Sequence, residues 1–266
     1  DVSGQKTLLL FDSCQSHEKQ KLDPEQIKQI ITTAQLVIDR GGSVLLCTHF
    51  QASHQEVAQK EMMTEIIAVL KDLSVEIIPV LDPFTDANKI RFKNAGPGKV
   101  FLLENLAHFP DEHKGKVEFA RELARLADLF IHDAPGMVLS SAASNQHLPG
   151  LLPSVAGLRL QKEIDEYTRG FKQARKPVAM ILGGQNPARK IELLRKIMPS
   201  LDYLLIAGGI APTFLKGRAL PIGNSSYDKT QEVNAFQILE RAELDETAYL
   251  LPLDHVVAEQ FSRQGK

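Results

Sequence analysis

Short apolar runs alternate with helically spaced apolar positions along most of the chain. Thr7–Asp12 (TLLLFD) reads as a buried strand ending in an acid. Ile27, Ile30, Ile31, Ala34, Val37 and Ile38 then recur at helical spacing until Gly41-Gly42 stops them. Val44–Cys47 is a second strand with Thr48-His49 at its C-terminal end, and Met63, Ile66, Ile67 and Leu70 mark the next helix. Val75–Val80, closed by Asp82-Pro83, is a third strand; Val100–Leu103, leading into Glu104-Asn105, is a fourth. Phe119, Ala120, Leu123, Leu126 and Ala127 form another amphipathic helix, followed by a strand, Leu129–Ile131, that ends at His132-Asp133. Such alternation predicts a parallel sheet with helices on both faces. Ligands of these sheets bind beyond the C-terminal strand ends, where Asp12, His49, Asn105 and Asp133 fall.

The pattern changes at His147–Ala156, rich in Pro, Ser and Gly, and a polar helix, Leu158–Lys172, follows. We therefore expect an N-terminal α/β domain over 1–155, a connecting helix over 156–174 and a second α/β domain over 175–266. In the second domain, strand Val178–Leu182 runs into Gly183-Gly184, and Asn186-Pro187 starts a helix that Pro199 ends. Strand Leu204–Ile206 runs into Gly208-Gly209; a helix near Gln231–Ala242, a strand Tyr249–Leu251 and a short helix after Asp254 complete it. Glycines where a strand feeds a helix leave free N–H groups for an anion, but they serve tight α/β packing equally well, and neither turn is a complete phosphate-loop motif. Three clear strands are few for a doubly wound sheet. Either the native chain continues past Lys266, or this half packs on something else.

Composition narrows the function classes. Lys plus Arg total 31 against 33 for Asp plus Glu, so no overall field argues for nucleic acid. No apolar run reaches membrane-spanning length, and no signal peptide is visible. Cys14 and Cys47 give neither zinc spacing nor a disulfide framework, which favours a reducing compartment, cytoplasm or organelle interior. Nothing near Cys14 in sequence activates it, and His108, His113 and His132 lack metal-ligand spacing, so no metal site is expected.

The motifs themselves resemble those of the phosphoglycerate kinase family. Glu104–His108 (ENLAH) matches the family's ENLRF, and His132–Ser144 (HDAPGMVLSSAAS) its NDAFGTAHRAHAS. Ala156–Ile164 (AGLRLQKEI) matches AGFLMEKEL, Ile181–Ile191 matches ILGGAKVSDKI, and Leu204–Gly217 (LLIAGGIAPTFLKG) matches LLIGGGMAYTFLKA. Ile222–Ser225 and Leu251–Phe261 also fit. The resemblance implies two Rossmann-like domains, the second one incomplete here, with 3-phosphoglycerate on the first, Mg-ATP on the second, and a hinge that closes them.

The departures fall on the charges. The family's substrate arginines are replaced by Gln26, Ala52, Ala107 and Ser140, and the two histidines of AHRAH by Leu139 and Ala142. Of that basic set His49 remains, and the DFN triplet survives as Asp12, followed by Ser13 and Cys14. Charge-assisted hydrogen bonds contribute roughly 1.5–3 kcal/mol each, so four lost arginines remove about 6–12 kcal/mol, against about 8 kcal/mol for micromolar binding. On the nucleotide side the lysine of GGAKV becomes Asn186, an aspartate becomes Arg189, and the first glycine of the triplet becomes Ala207, while Lys190 is kept. Gly183, Gly184, Lys190, Gly208 and Gly209 form at most a weak nucleotide half-site.

We therefore expect a non-catalytic family member without a cofactor, working as a structural or regulatory subunit whose protein partner covers the second domain near Val256, Val257 and Phe261. Asp12, His49 and Asn105 are then remnants of the substrate site. The alternative is an active phosphotransferase with a weakened or altered substrate site, using Mg-ATP or Mg-ADP.

Overall fold

The structure is a computed structural model that describes residues 2–12, 24–49, 63–68, 70 and 75–255. Two compact units divide at Asp165/Glu166. Cys14, Ala52, Val256, Val257 and Phe261 lie outside the described residues, and so does the side chain of Gln26.

The first unit is built on a six-stranded sheet of order β3-β4-β2-β1-β5-β6, parallel throughout. The strands are β1 (Lys6–Phe11), β2 (Ser43–Thr48), β3 (Ile77–Val80), β4 (Val100–Leu103), β5 (Leu129–Asp133) and β6 (Ser154–Ala156). β1 lies between β2 and β5, with Leu9 opposite Leu46 on one side and Ile131 on the other. Its consecutive leucines point to alternate faces, and each face has its own core. Leu8 and Leu10 join Leu45, Phe101 and Phe130 under α5 (Val117–Ala124) and α6 (Ala143–Leu151). Leu9 and Phe11 join Leu46, Leu102 and Ile131 under α1 (Pro24–Asp39) and α2 (residues 63–68). Burial on both sides is why these strands are continuous apolar runs.

Periodicity missed the small elements. α3 (Asp86–Lys93) has a weak apolar face but a clear cap, with the Asn88 amide donating to Thr85 Oγ1 at 3.3 Å. α4 (Pro110–His113) is a single turn. The Pro-, Ser- and Gly-rich segment His147–Ala156, where the sequence pattern changes, carries β6, which pairs with β5 through Ile131↔Val155. β6 leads straight into α7 (Leu158–Tyr167), whose first turn is built into the first unit by the bonds described below.

The second unit has a parallel three-stranded sheet, β7 (Ala179–Leu182), β8 (Tyr203–Ile206) and β9 (Ala248–Leu250), with α8 (Pro187–Ile197), α9 (Ala211–Gly217) and α10 (Glu232–Leu244). Leu182, Leu204 and Ile206 pack with Leu194, Phe214, Ile238 and Leu239. The opposite sheet face carries a row in which Ile181 pairs with Leu205 and Leu205 with Leu250. Ile181 is 75% and Leu250 53% exposed. Among the described residues no helix is long and apolar enough to cross a membrane.

Candidate functional site

Parallel packing brings the ends of β1, β2, β4 and β5 to one rim, and the acids there turn inward. Asp12 is buried. Its Oδ2 accepts the Gly136 amide at 2.7 Å, and its Oδ1 accepts Arg159 Nη1 at 2.7 Å. The same Nη1 donates to the Asp12 carbonyl at 2.9 Å. A Cβ on Gly136 would stand 2.2 Å from Asp12 Oδ2, so the turn after β5 needs glycine for this approach.

Asp133 is fully buried. A strand-end acid this close to Gly136 in sequence suits a brace for that turn, but Asp12 does that instead. Asp133 Oδ2 accepts Thr33 Oγ1 at 2.6 Å and its Oδ1 accepts the Leu160 amide at 2.9 Å, tying α1 and the first turn of α7 to β5. A Cβ on Gly157 would lie 2.2 Å from Asp133 Cγ. Gly157→Ala should therefore destabilise the first unit by about 3 kcal/mol, through overpacking and displaced bonds. Urea unfolding measures this as a lower midpoint at unchanged slope.

His49 follows β2, and its amide donates to the Phe11 carbonyl at 3.1 Å. Its ring Nε2 has no hydrogen bond and lies 3.6 Å from Glu112 Oε1, with the His113 ring edge-on at 5.8 Å between centroids. Burial, with His113 beside it, pushes the imidazole down to about 4. It is therefore neutral at pH 7 and offers an anion no charge. Asn105 Oδ1 accepts the Ala107 amide at 3.2 Å and caps the 3-10 turn Leu106–His108.

Glu112, His113 and Arg159 are the residues that sequence reasoning missed. Glu112 is fully buried and accepts from the Ser144 amide at 2.9 Å and the Ser144 hydroxyl at 2.5 Å. Burial pushes its carboxyl up, against those hydrogen bonds. His113 Nε2 lies 2.6 Å from the Ala107 carbonyl. Ala107, where the family motif has arginine, is buried under this group. Ser140 Oγ accepts the Ala142 amide at 3.2 Å, and Leu139 beside it is 93% exposed. Arg159 pairs with the strand-end acid Asp12 and is committed to it.

In the second unit the two glycine turns lie against each other. Gly184 and Gly208 have φ of +87° and +61°, and a Cβ on Gly209 would meet the Gly184 carbonyl at 3.0 Å. This contact gives the glycines a packing role. Gly209 also lines a cleft of about 870 Å³ with Gln185, Asn186, Pro187, Pro212 and Tyr227. Gly183, Gly184, Gly208 and Lys190 are not among its lining residues. Asn186, at φ 63°, caps α8 by accepting the Arg189 amide at 3.4 Å. Asp228 at the cleft edge is turned onto Thr230, whose amide and hydroxyl donate to it at 3.0 and 2.6 Å. Among the described residues no three His, Cys, Asp or Glu side chains converge as a metal site.

Strand-end crevice and glycine-turn cleft together define a parallel α/β protein of the kind that binds small ligands beyond its strand ends. The chain belongs to the phosphoglycerate kinase family, whose profile, described as phosphoglycerate kinase, matches residues 1–266. It is 32% identical over 245 residues to the phosphoglycerate kinase of Leptospira biflexa, covering 92% of this chain and 62% of that protein. It is 31% identical over 242 residues to the cytosolic phosphoglycerate kinase 3 of Arabidopsis thaliana, covering 90% of this chain and 60% of the relative. The chain thus spans about 62% of the length of the curated relatives it matches. Among solved structures, phosphoglycerate kinase from Coxiella burnetii superposes with a TM-score of 0.75 at 24% identity, over 100% of this chain and 67% of that one. The enzyme from Pyrococcus horikoshii gives a TM-score of 0.71 at 21% identity, over 92% and 62%. These superpositions establish the shared fold.

Proposed function

We propose that this phosphoglycerate kinase-like protein is non-catalytic and serves as a structural or regulatory component of an assembly. The observation that carries the reading is the commitment of the crevice charges: Asp12 is held by Arg159 and Gly136, and His49 is neutral. A phosphate and a carboxylate would meet buried Ala107 and exposed Leu139 where the family motifs place arginine and histidine. Phosphoryl transfer depends mostly on positioning and charge stabilisation, and those donors are missing here. The expected result is no saturable heat on titrating 3-phosphoglycerate to millimolar concentration at low salt. A micromolar isotherm would overturn the reading.

A partner has a candidate surface in the row Ile181, Leu205 and Leu250 of the second sheet, where Ile181 and Leu250 are exposed and Leu205 is half-buried. Exposed apolar sheet faces are normally covered. Intact-mass measurement on the native polypeptide, with its co-purifying proteins, separates a partner from further chain of the same protein.

The second reading, an active phosphotransferase with a weakened or altered substrate site, is favoured by one feature. The side chain of Lys190, in the first turn of α8, makes no hydrogen bond or ion pair among the described residues, and the Gly209 cleft is open. Gly209 and Asn186, which line the cleft, would be the groups to meet a phosphate, with Lys190 as the retained cation outside that lining. The acid at that cleft, Asp228, is engaged by Thr230, so the residues described do not fit a magnesium ion. ADP release from Mg-ATP in the presence of 3-phosphoglycerate, absent in a Lys190→Ala variant, would establish this second reading.

A further inference from the structure

A buried carboxylate requires a counter-charge or several donors. When a basic crevice loses its arginines, an acid left at its floor becomes an unpaired charge. Asp12 is such an acid, at the end of the central strand with its side chain 9% exposed. The chain answers with a cation from elsewhere. Arg159, in the first turn of α7, stands where the family segment AGFLMEKEL has leucine. It reaches back 147 positions to Asp12, and its own side chain is 14% exposed.

The contact has the form of ligand recognition. One guanidinium nitrogen donates at 2.7 Å to the carboxylate and at 2.9 Å to the carbonyl of the same residue, reading both the side chain and the backbone of the strand end. Gly136 holds the other carboxylate oxygen at 2.7 Å, which fixes the acid for this partner. The neighbouring acids are satisfied by neutral donors, Asp133 by Thr33 and Leu160 and Glu112 by Ser144. Guanidinium is the weakly hydrated cation best suited to such a buried, directional site.

We propose that the Asp12 end of the crevice is a guanidinium-binding subsite that the chain fills with its own Arg159, which closes it to anionic ligands. The proposal rests on the non-catalytic reading of the same crevice and adds the chemistry that now occupies it. The cation that pairs with this acid is carried in cis.

The test is chemical rescue in the full chain. Arg159→Ala should lower Tm by about 10 °C. Methylguanidinium should then raise Tm saturably at millimolar concentration and constant ionic strength, while sodium and methylammonium do not. Wild type, with the subsite filled, should not respond, and neither should Arg159→Met, whose stem occupies the space. No saturable rise in Arg159→Ala, or an equal rise in wild type, overturns the proposal. If Arg159→Ala does not fold, nitrogen NMR of the wild-type guanidinium decides. Separate, slowly exchanging Nη signals for Arg159 support the subsite, and one averaged signal overturns it. A failed rescue leaves the non-catalytic reading standing, whereas a 3-phosphoglycerate isotherm sinks that reading whatever methylguanidinium does.

Discussion

Asp133→Ala should cost the first unit about 3–5 kcal/mol, a large share of the 5–15 kcal/mol that holds a typical domain folded. The carboxylate accepts from the Thr33 hydroxyl at 2.6 Å and the Leu160 amide at 2.9 Å, and its removal strands both donors in a fully buried place. A smaller side chain also leaves a gap against Gly157, whose Cα stands where any Cβ would meet the carboxylate. The measurement is urea unfolding of the full chain, following the transition of the first unit, with Thr33→Val alongside. Thr33→Val removes one donor and leaves the carboxylate bonded to Leu160, so its loss should be about half as large. Thr33→Val also removes the acceptor of the Leu158 amide at 3.3 Å, so an effect of Asp133→Ala no larger than that of Thr33→Val would mean that the Leu160 bond contributes less than this longer one, and the account of Asp133 as the anchor of α7 would fail.

Acid should weaken the first unit well before its carboxylates titrate. The His49 imidazole is pushed from 6.5 down to about 4 by burial, with His113 adding to the effect and Asp12 opposing it. The unfolded chain therefore takes up this proton near pH 6.5, and the folded chain only near pH 4. Stability linked to the neutral ring is fully present above pH 6.5 and is lost as pH falls to about 4, up to about 3 kcal/mol in all. Glu112, which faces the ring at 3.6 Å, works the other way, because burial raises its pKa in the folded state. Arg159 faces Asp12 and holds that acid paired. Cys47 on β2 stays an uncharged thiol, since burial pushes it up. The net loss is accordingly smaller than His49 alone would give. His49→Phe should flatten the stability profile between pH 6.5 and 4, measured by denaturant midpoints at each pH. A variant whose profile parallels wild type would remove His49 from the explanation.

Two features of the crevice show how the same residue types divide between legible and hidden. Asp12 could be placed at a strand end because TLLLFD is a strand buried on both faces, and the acid ends the run. Its partner could not be found that way. Arg159 sits in a polar helix and looks like one more solvated charge, until the pairing of β5 with β6 draws α7 to the end of β1. Glu112 is similar: a glutamate two residues after a proline reads as surface, yet it is sealed by Ser144, 32 positions further on. In the second unit, strand and turn signals placed Gly184, Gly208 and Gly209 correctly at strand ends, but their contact with one another depends on the parallel register of β7 and β8.

By itself, then, the sequence determined the parallel α/β fold, the position of each rim residue and the absence of arginine from Ala107 and Ser140. Those are local matters: apolar periodicity states which face must leave water, and glycine or proline states where the chain turns. The tertiary structure alone decided which charges meet. It paired Asp12 with Arg159, gave Asp133 to α7, and enclosed His49 with Glu112. Ion pairs and buried hydrogen bonds join residues far apart in the chain, and burial sets how strongly they act. Neither quantity exists until the sheet has closed over them.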